Sequence, residues 1–329
     1  MAYDATVALL TFNGDEYLDE VLKAVFSQKT SKKFEVLAID SGSTDRTLEI
    51  IQKYSKIRLH QIPNSEFGHG KTRNLAMSMA DSPFVLFLTQ DAVPAHDRWL
   101  DCMLEPFFIS DKVGCAFGKQ IPRPHCFVTI KREVTSVFRS FGDSGSISLQ
   151  RQTSLTDDMG VTNTYMSDAN SAIRKSLHSE VPFRKVDYAE DQALGIDMLS
   201  KGYLKAYAPL GSVYHSHDYS PRKYYQRKFD EYVGLRKSTG ITAAAGKREL
   251  TLGTIKSTLQ DYIFLTQDSE MGWAEKTHDF FLAPFYNLGL RLAIRKAARD
   301  LKDVDIKRHS LEFNARNNIP RRSGKSVRH

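Results

Sequence analysis

Phe84-Val-Leu-Phe-Leu-Thr-Gln-Asp-Ala-Val-Pro94 is the stretch on which the reading of this chain turns. Phe84–Thr89 is apolar or β-branched without a break, the pattern of a strand buried on both faces in a parallel sheet. The run stops at Gln90 and Asp91, and Pro94, which has no amide hydrogen, keeps the strand from continuing. Ligands of open α/β sheets bind beyond the carboxyl ends of the strands. An acid at that place can hold a metal and, through it, a phosphate.

Segments on either side repeat the pattern. Ala5–Phe12, Phe34–Ile39, Ile57–Ile62 and Val113–Phe117 read as further strands. Helices are expected over Asp15–Ser27, after Ser41–Asp45 with Leu48, Ile51 and Tyr54 on one face, from Lys71 to about Ala80, and from about Asp97. Asn13 and Glu16 fit a capping box for the first of these. Strands alternating with helices predict an α/β fold with a mostly parallel central sheet flanked by helices. Thr11, Asn13, Asp40, Gln90 and Asp91 all fall at the carboxyl ends of expected strands, and so around one cleft. From Ile121 to about Thr164 the pattern dissolves into loop signals such as Gly142-Asp-Ser-Gly145 and Thr156-Asp-Asp-Met-Gly160. A loop of that length in a compact domain is usually functional or mobile. Order returns at Asp168–Ile173. A helix follows over Glu190–Ser200, closed by Gly202, then a strand over Leu204–Tyr214 that runs into His215-Ser-His217. Beyond about Pro221 the chain reads as helical.

The bulk numbers bound the function. In 329 residues, hydrophobic side chains make up 41% and charged ones 26%, an ordinary globular balance that excludes wholesale disorder. The three cysteines, Cys102, Cys115 and Cys126, form no C-x-x-C pair, and an odd number suits a reducing compartment. No basic-then-apolar leader opens the sequence, and no apolar run is long enough to cross a bilayer. The expected location is cytoplasmic, or peripheral on the inner face of the cell membrane. A net charge of +7 favours anionic partners, although part of it sits in a tail with Arg316, Arg321, Arg322, Lys325 and Arg328 that reads as solvated and disordered.

Several phosphate-binding patterns can be weighed. Gly68-x-Gly70-x-x-Arg73 lacks the third glycine of the dinucleotide fingerprint. Gly70-Lys71-Thr72 matches the end of a P-loop, but Ser65 stands where the first glycine belongs, which leaves a P-loop-like NTPase as a lesser alternative. The basic tail has no nucleic-acid recognition motif beside it, so a non-catalytic polyanion-binding protein is the other alternative and no specific nucleic acid is expected. Five stretches taken together are more specific: Val7-Ala-Leu-Leu-Thr-Phe-Asn13, Ala38-Ile-Asp-Ser-Gly-Ser-Thr-Asp-Arg-Thr47, Lys71-Thr-Arg-Asn-Leu75, Leu88-Thr-Gln-Asp91 and Ala189-Glu-Asp191. In this order they resemble the motif set of inverting GT-A glycosyltransferases, specifically glycosyltransferase family 2. Phe67-Gly-His-Gly-Lys-Thr-Arg-Asn74, Thr89–Pro94 and His215-Ser-His217 are similar to bacterial rhamnosyltransferases within it.

The resemblance, which covers roughly residues 5–230, implies a GT-A fold, a metal-dependent inverting transfer and a division of labour. Residues 1–230 would form the transferase domain, with a nucleotide-sugar half up to about 120 and an acceptor half after it. Residues 231–315 would form a helical extension, and 316–329 the basic tail. By the resemblance, Thr11, Asn13 and Asp40 bind the nucleotide, Asp40 accepting from a pyrimidine imide. Lys71 and Arg73 open a helix whose N-terminus favours anions, with Arg73 bracing Asp40 or Asp91 or facing the diphosphate. Asp91 and His217 hold Mg2+ or Mn2+, and Gln90, in place of a commoner acid, bonds a sugar hydroxyl. Asp191 is the catalytic base. Asp168, Asn170, Glu190, His215 and Arg227 serve the acceptor or diphosphate.

The donor expected on these grounds is dTDP-L-rhamnose, with a UDP-sugar as the alternative, and the acceptor a bacterial cell-surface or lipid-linked glycan. In the last third, Phe281, Leu282, Phe285, Leu288, Leu292 and Ala293 make an apolar stripe interleaved with Arg291, Arg295, Lys296, Arg299 and Lys302. Two readings stand side by side: a basic amphipathic helix on an anionic membrane surface, or a helix packed in the core or a homo-oligomer.

Overall fold

The computed structural model describes residues 3–142, 144–152, 165–186, 188–299 and 303–313. The Phe84–Thr89 run is a strand, β4, whose side chains are buried from Phe84 to Leu88. Before it come β1 (Ala5–Thr11), β2 (Phe34–Asp40) and β3 (Ile57–Gln61), and after it β5 (Val93–Pro94), β6 (Val113–Ile121), β7 (Ser148–Gln150), β8 (Asn170–Arg174) and β9 (Leu204–Tyr214). Among the described residues these build one sheet in the order β3-β2-β1-β4-β8-β6-β9-β5, with β7 also on β9. The first four run parallel. β8 enters antiparallel to both β4 and β6, and β6 and β9 then resume the original direction. Six of the nine strands therefore point one way, the mostly parallel sheet the alternating pattern implies.

Helices cover both faces. α1 (Leu18–Phe26), α2 (Thr47–Gln52), α4 (Trp99–Leu104) and α5 (Pro106–Ile109) surround one core, with Trp99 and Leu22 wholly buried. α3 (His69–Met79) and α7 (Glu190–Ser200) close the other through Met77, Leu194 and Met198. Pro106 separates α4 from α5, since its ring cannot continue a hydrogen-bonded turn.

The expected loop from Ile121 is partly a helix. α6 (Val128–Arg139) lies inside it. Ile130, Val134, Val137 and Phe138 recur at helical spacing within it, a period that the loop signals following it obscured. The Thr156–Gly160 stretch and the tail from 314 lie outside the described residues. The expected capping box does not form: α1 begins only at Leu18, and Asn13 adopts a left-handed φ of 48° with its Oδ1 taking the Thr44 amide at 2.8 Å.

Beyond β9 come α8 (Pro221–Thr239), α9 (Thr254–Gln267), α10 (Trp273–Ala297) and α11 (Asp303–His309). They are not a separate appendage. Asp261 of α9 is fully buried and accepts from Thr129 Oγ1 at 2.7 Å and Arg132 Nε at 2.5 Å of α6, and from Asn287 Nδ2 of α10 at 2.5 Å. Asp279 takes the Val128 amide at 2.8 Å, and Phe127 stacks on Tyr286 with ring centroids 3.8 Å apart.

Candidate active site

The carboxyl ends of β1, β4, β6 and β9 open into a cleft of about 510 Å³. Asp91 is at its floor. His215 and His217, which follow β9, come to it from across the sheet: His215 Nε2 lies 3.6 Å from Asp91 Oδ1, and His217 Nδ1 3.5 Å from Oδ2. In an extended segment residues i and i+2 face the same way, so both rings reach the acid.

Gln120 of β6 fixes His215. Its amide nitrogen donates to Ser167 Oγ at 2.9 Å, so its oxygen accepts from His215 Nδ1 at 2.9 Å. In a neutral ring this leaves Nε2 presenting a lone pair toward a carboxylate. Two acceptors facing each other suit a cation between them. Ligand atoms each ~2.1 Å from an octahedral cation sit roughly 3 Å apart, close to the spacing found. Burial and the neighbouring His215 depress His217 to about 3, which keeps the ring in the ligating neutral form. The donor set, one carboxylate and two imidazoles, fits a transition-metal dication such as Mn2+ better than Mg2+, which takes oxygen ligands. Sequence reasoning missed Gln120 and Arg123. Arg123 Nη2 donates to the Asp91 carbonyl at 2.8 Å, and its guanidinium lies 3.8 Å above the Tyr17 ring.

A second group of acids lies at the same cleft. Asp168, Glu190 and Asp191 have carboxylate atoms within 4.8 Å of one another. Arg73, expected to brace Asp40 or Asp91, instead bridges this group, with Nε 2.7 Å from Asp168 and Nη1 2.7 Å from Glu190. Asp168 is buried in that ion pair and in a 2.6 Å bond from Ser171, so it supports the wall rather than lining the cleft. Ala189 makes the geometry: its left-handed φ of 60° turns the chain sharply into α7, and Glu190 and Asp191 face the cleft. One guanidinium does not neutralise three acids. Burial, then Glu190 and Asp168, push Asp191 well above the usual carboxylate range. Burial likewise lifts Asp168 to about 6 despite Arg73. At the cleft surface Asp191 Oδ2 accepts the Asp168 amide at 3.2 Å.

Between the two groups, Arg227 of α8 lies over the Tyr188 ring at 4.9 Å and keeps its charge. Lys228 beside it bonds Glu133 of α6. Glu312, near the end of the described chain, also reaches the cleft, 3.6 Å from His69. Its amide and that of Leu311 donate to buried Asp230 at 3.0 and 2.8 Å.

Other expected site residues are spent locally. Asp40 accepts from Thr11 Oγ1, the Gly42 and Ser43 amides and Ser43 Oγ at 2.5–3.0 Å. It shapes the Ser41–Ser43 loop, while Thr11 and Ser41 face the cleft. Gln90, expected at a sugar hydroxyl, clamps the Phe12 backbone, accepting its N–H at 2.8 Å and donating to its carbonyl at 3.0 Å. Asn170, expected at the acceptor, is wholly buried, taking Trp99 Nε1 at 2.9 Å and donating to the Gly211 carbonyl at 2.6 Å. Asn13 and Lys71 are exposed. Gly70 serves packing, not a phosphate loop: a Cβ there would lie 1.9 Å from the Arg184 carbonyl oxygen.

The likenesses to known proteins agree with this geometry. The chain is 30% identical over 233 residues to the O-antigen chain rhamnosyltransferase RfbN of Salmonella typhimurium, covering 69% of this chain and 71% of that protein. It is 34% identical over 213 residues to WbaN of Salmonella anatum, an O-antigen chain rhamnosyltransferase, covering 63% and 64%. Among solved structures it superposes on the Pyrobaculum calidifontis mannosyltransferase PcManGT, solved with GDP-Man and Mn2+. The TM-score is 0.58 at 16% identity, over 91% of this chain and 86% of that one, and the two share the GT-A fold. Residues 6–181, more than half of the chain, match Glycosyl transferase family 2. A parallel sheet with its acids gathered at the carboxyl ends, and that match, establish that the chain belongs to glycosyltransferase family 2.

Proposed function

We propose that this glycosyltransferase moves L-rhamnose from dTDP-L-rhamnose, with inversion, to a hydroxyl of a bacterial surface glycan on a lipid carrier at the inner face of the membrane. One observation carries the reading: the Asp91–His215–His217 group and the Asp191 carboxylate line a single cleft. The two Salmonella relatives, named as rhamnosyltransferases, support the choice of sugar.

The chemistry needs one in-line displacement. Asp191 takes the proton of the acceptor hydroxyl as its oxygen bonds the anomeric carbon, and the bond from that carbon to the diphosphate oxygen breaks. Asp91, His215 and His217 would hold a divalent cation such as Mn2+, which when bound would neutralise charge on the leaving diphosphate. Arg227 adds a buried cation to the same cleft, and Thr11 and Ser41 meet the nucleotide on the loop that Asp40 organises. Arg73 and Asp168 hold Glu190 and Asp191 in place.

Calorimetry of dTDP, UDP and GDP, each with and without Mn2+, tests the proposal. Metal-dependent binding strongest for dTDP is expected. Equal binding with and without Mn2+ would remove the metal assignment, and tightest binding of UDP would transfer the donor to a UDP-sugar.

A further inference from the structure

Two rows of large apolar side chains stand out of the C-terminal helices. On α9 these are Ile255, Leu259 and Ile263, and on α10 Phe281 and Phe285, each between 55% and 66% exposed. Leu288 and Leu292 continue the second row one and two turns on, whereas Leu282 and Ala293 of the same sequence stripe turn inward. The helices are antiparallel, since Arg291 bonds Ser257 at 2.8 Å and Asn287 bonds Asp261. An aromatic bridge joins the rows: Tyr262 stacks on Phe280 at 4.2 Å, and Phe280 meets Phe281 edge-on at 5.5 Å. Trp273, 83% exposed, lies at the start of α10 beside the turn between the helices. A continuous apolar surface of this kind marks an interaction site.

The charges say with what. Most acids of this region turn inward and are occupied. Asp261 and Asp279 bond α6, Asp268 pairs with Lys131 at 2.5 Å, and Glu275 takes the Gly272 amide and contacts His125. Glu249 and Glu270 are the outward exceptions. Lys247, Arg248, Lys256 and Arg299 are exposed around the apolar rows. A second copy docked by twofold symmetry would bring two basic fringes together, whereas an anionic surface would neutralise them. No helix among the described residues is long and apolar enough to cross a membrane.

We infer that the α9–α10 face lies flat on an anionic lipid bilayer, inserting Phe281, Phe285 and Ile263 at the headgroup boundary while the basic fringe meets lipid phosphates. It deepens the reading of a lipid-carried acceptor, but its evidence is separate from the cleft.

The test uses the full chain and co-sedimentation with phosphatidylcholine vesicles, alone or enriched in phosphatidylglycerol, at low and high salt. Binding only to the anionic vesicles, weakened by salt, is expected. The double variant Phe281→Ser/Phe285→Ser should lower partitioning at least about tenfold, and Lys256→Gln about fivefold. Both should leave dTDP–Mn2+ calorimetry unchanged, which separates failure here from failure of the transferase reading. Absence of wild-type binding to anionic vesicles would overturn the inference. So would binding indifferent to the phenylalanine pair, or a dimer by light scattering that the pair dissolves.

Discussion

Replacing Asp191 by asparagine should abolish transfer and make the protein more stable. Asp191 faces two like charges, Glu190 and Asp168, within 4.8 Å, while Arg73 is committed to those two neighbours. At that separation and an effective dielectric near 20, each like-charge pair costs ~3.5 kcal/mol before the guanidinium offsets it. Partial protonation of the raised carboxyl removes more, leaving a net relief of about 1–2 kcal/mol. The amide oxygen can still accept the Asp168 N–H, so little is lost in exchange. The melting temperature should rise by roughly 1.5–3 °C. The pH dependence follows from the direction of the shifts. Asp168 and Asp191 bind protons more tightly folded than unfolded, so the wild type loses stability as pH rises from the ordinary carboxylate range through about 6 and beyond. The variant escapes part of that loss, and its advantage should widen as pH rises. Turnover should fall about 10²–10⁴-fold, the usual worth of a general base, with donor affinity within about threefold. Thermal melts across pH, steady-state transfer and calorimetry read all three. Turnover within tenfold of wild type, or a melting difference that does not grow with pH, would refute the reasoning.

Gln120→Leu removes the acceptor that orients His215 and should weaken Mn2+ affinity by about 10–100-fold, measured by calorimetry with dTDP. Asn170→Ala leaves the Trp99 indole N–H and the Gly211 carbonyl without their buried partner. It should cost about 2–5 kcal/mol in denaturant unfolding, with nucleotide affinity in the folded fraction unchanged. Asp230→Ala deprives the Leu311 and Glu312 amides of their acceptor, so hydrogen exchange at residues 309–313 should accelerate while the α3 amides stay protected.

The strands that carry Asp91 and the histidines were legible because burial on both faces leaves an unbroken apolar run and its end is abrupt. Leu204–Tyr214 and Glu190–Ser200 fall where the pattern put them. What each polar group does was less legible. Gln90 and Asp40 have the side chains a ligand would want, yet backbone amides and hydroxyls within the fold claim them first. Arg73 finds partners about a hundred residues away that no local spacing reveals. The turn that aims Asp191 rests on an alanine in a left-handed conformation, which composition does not advertise. α6 was readable from Ile130, Val134, Val137 and Phe138 at helical spacing, but its partners Asp261 and Asp279 lie more than a hundred residues on.

The knot at Asp261 bears on how such an enzyme could be re-engineered. α6 contributes Ile130, Glu133 and Val134 to the cleft wall, and the same helix is bolted through Thr129 and Arg132 to α9 and, through Asn287, to α10. A chimera spliced near residue 230 would unite a catalytic part and a helical part that had not adjusted to each other. It would strand a buried carboxylate at the seam. Exchange of acceptor preference between relatives therefore has to carry α6, α9 and α10 together, as one heritable block.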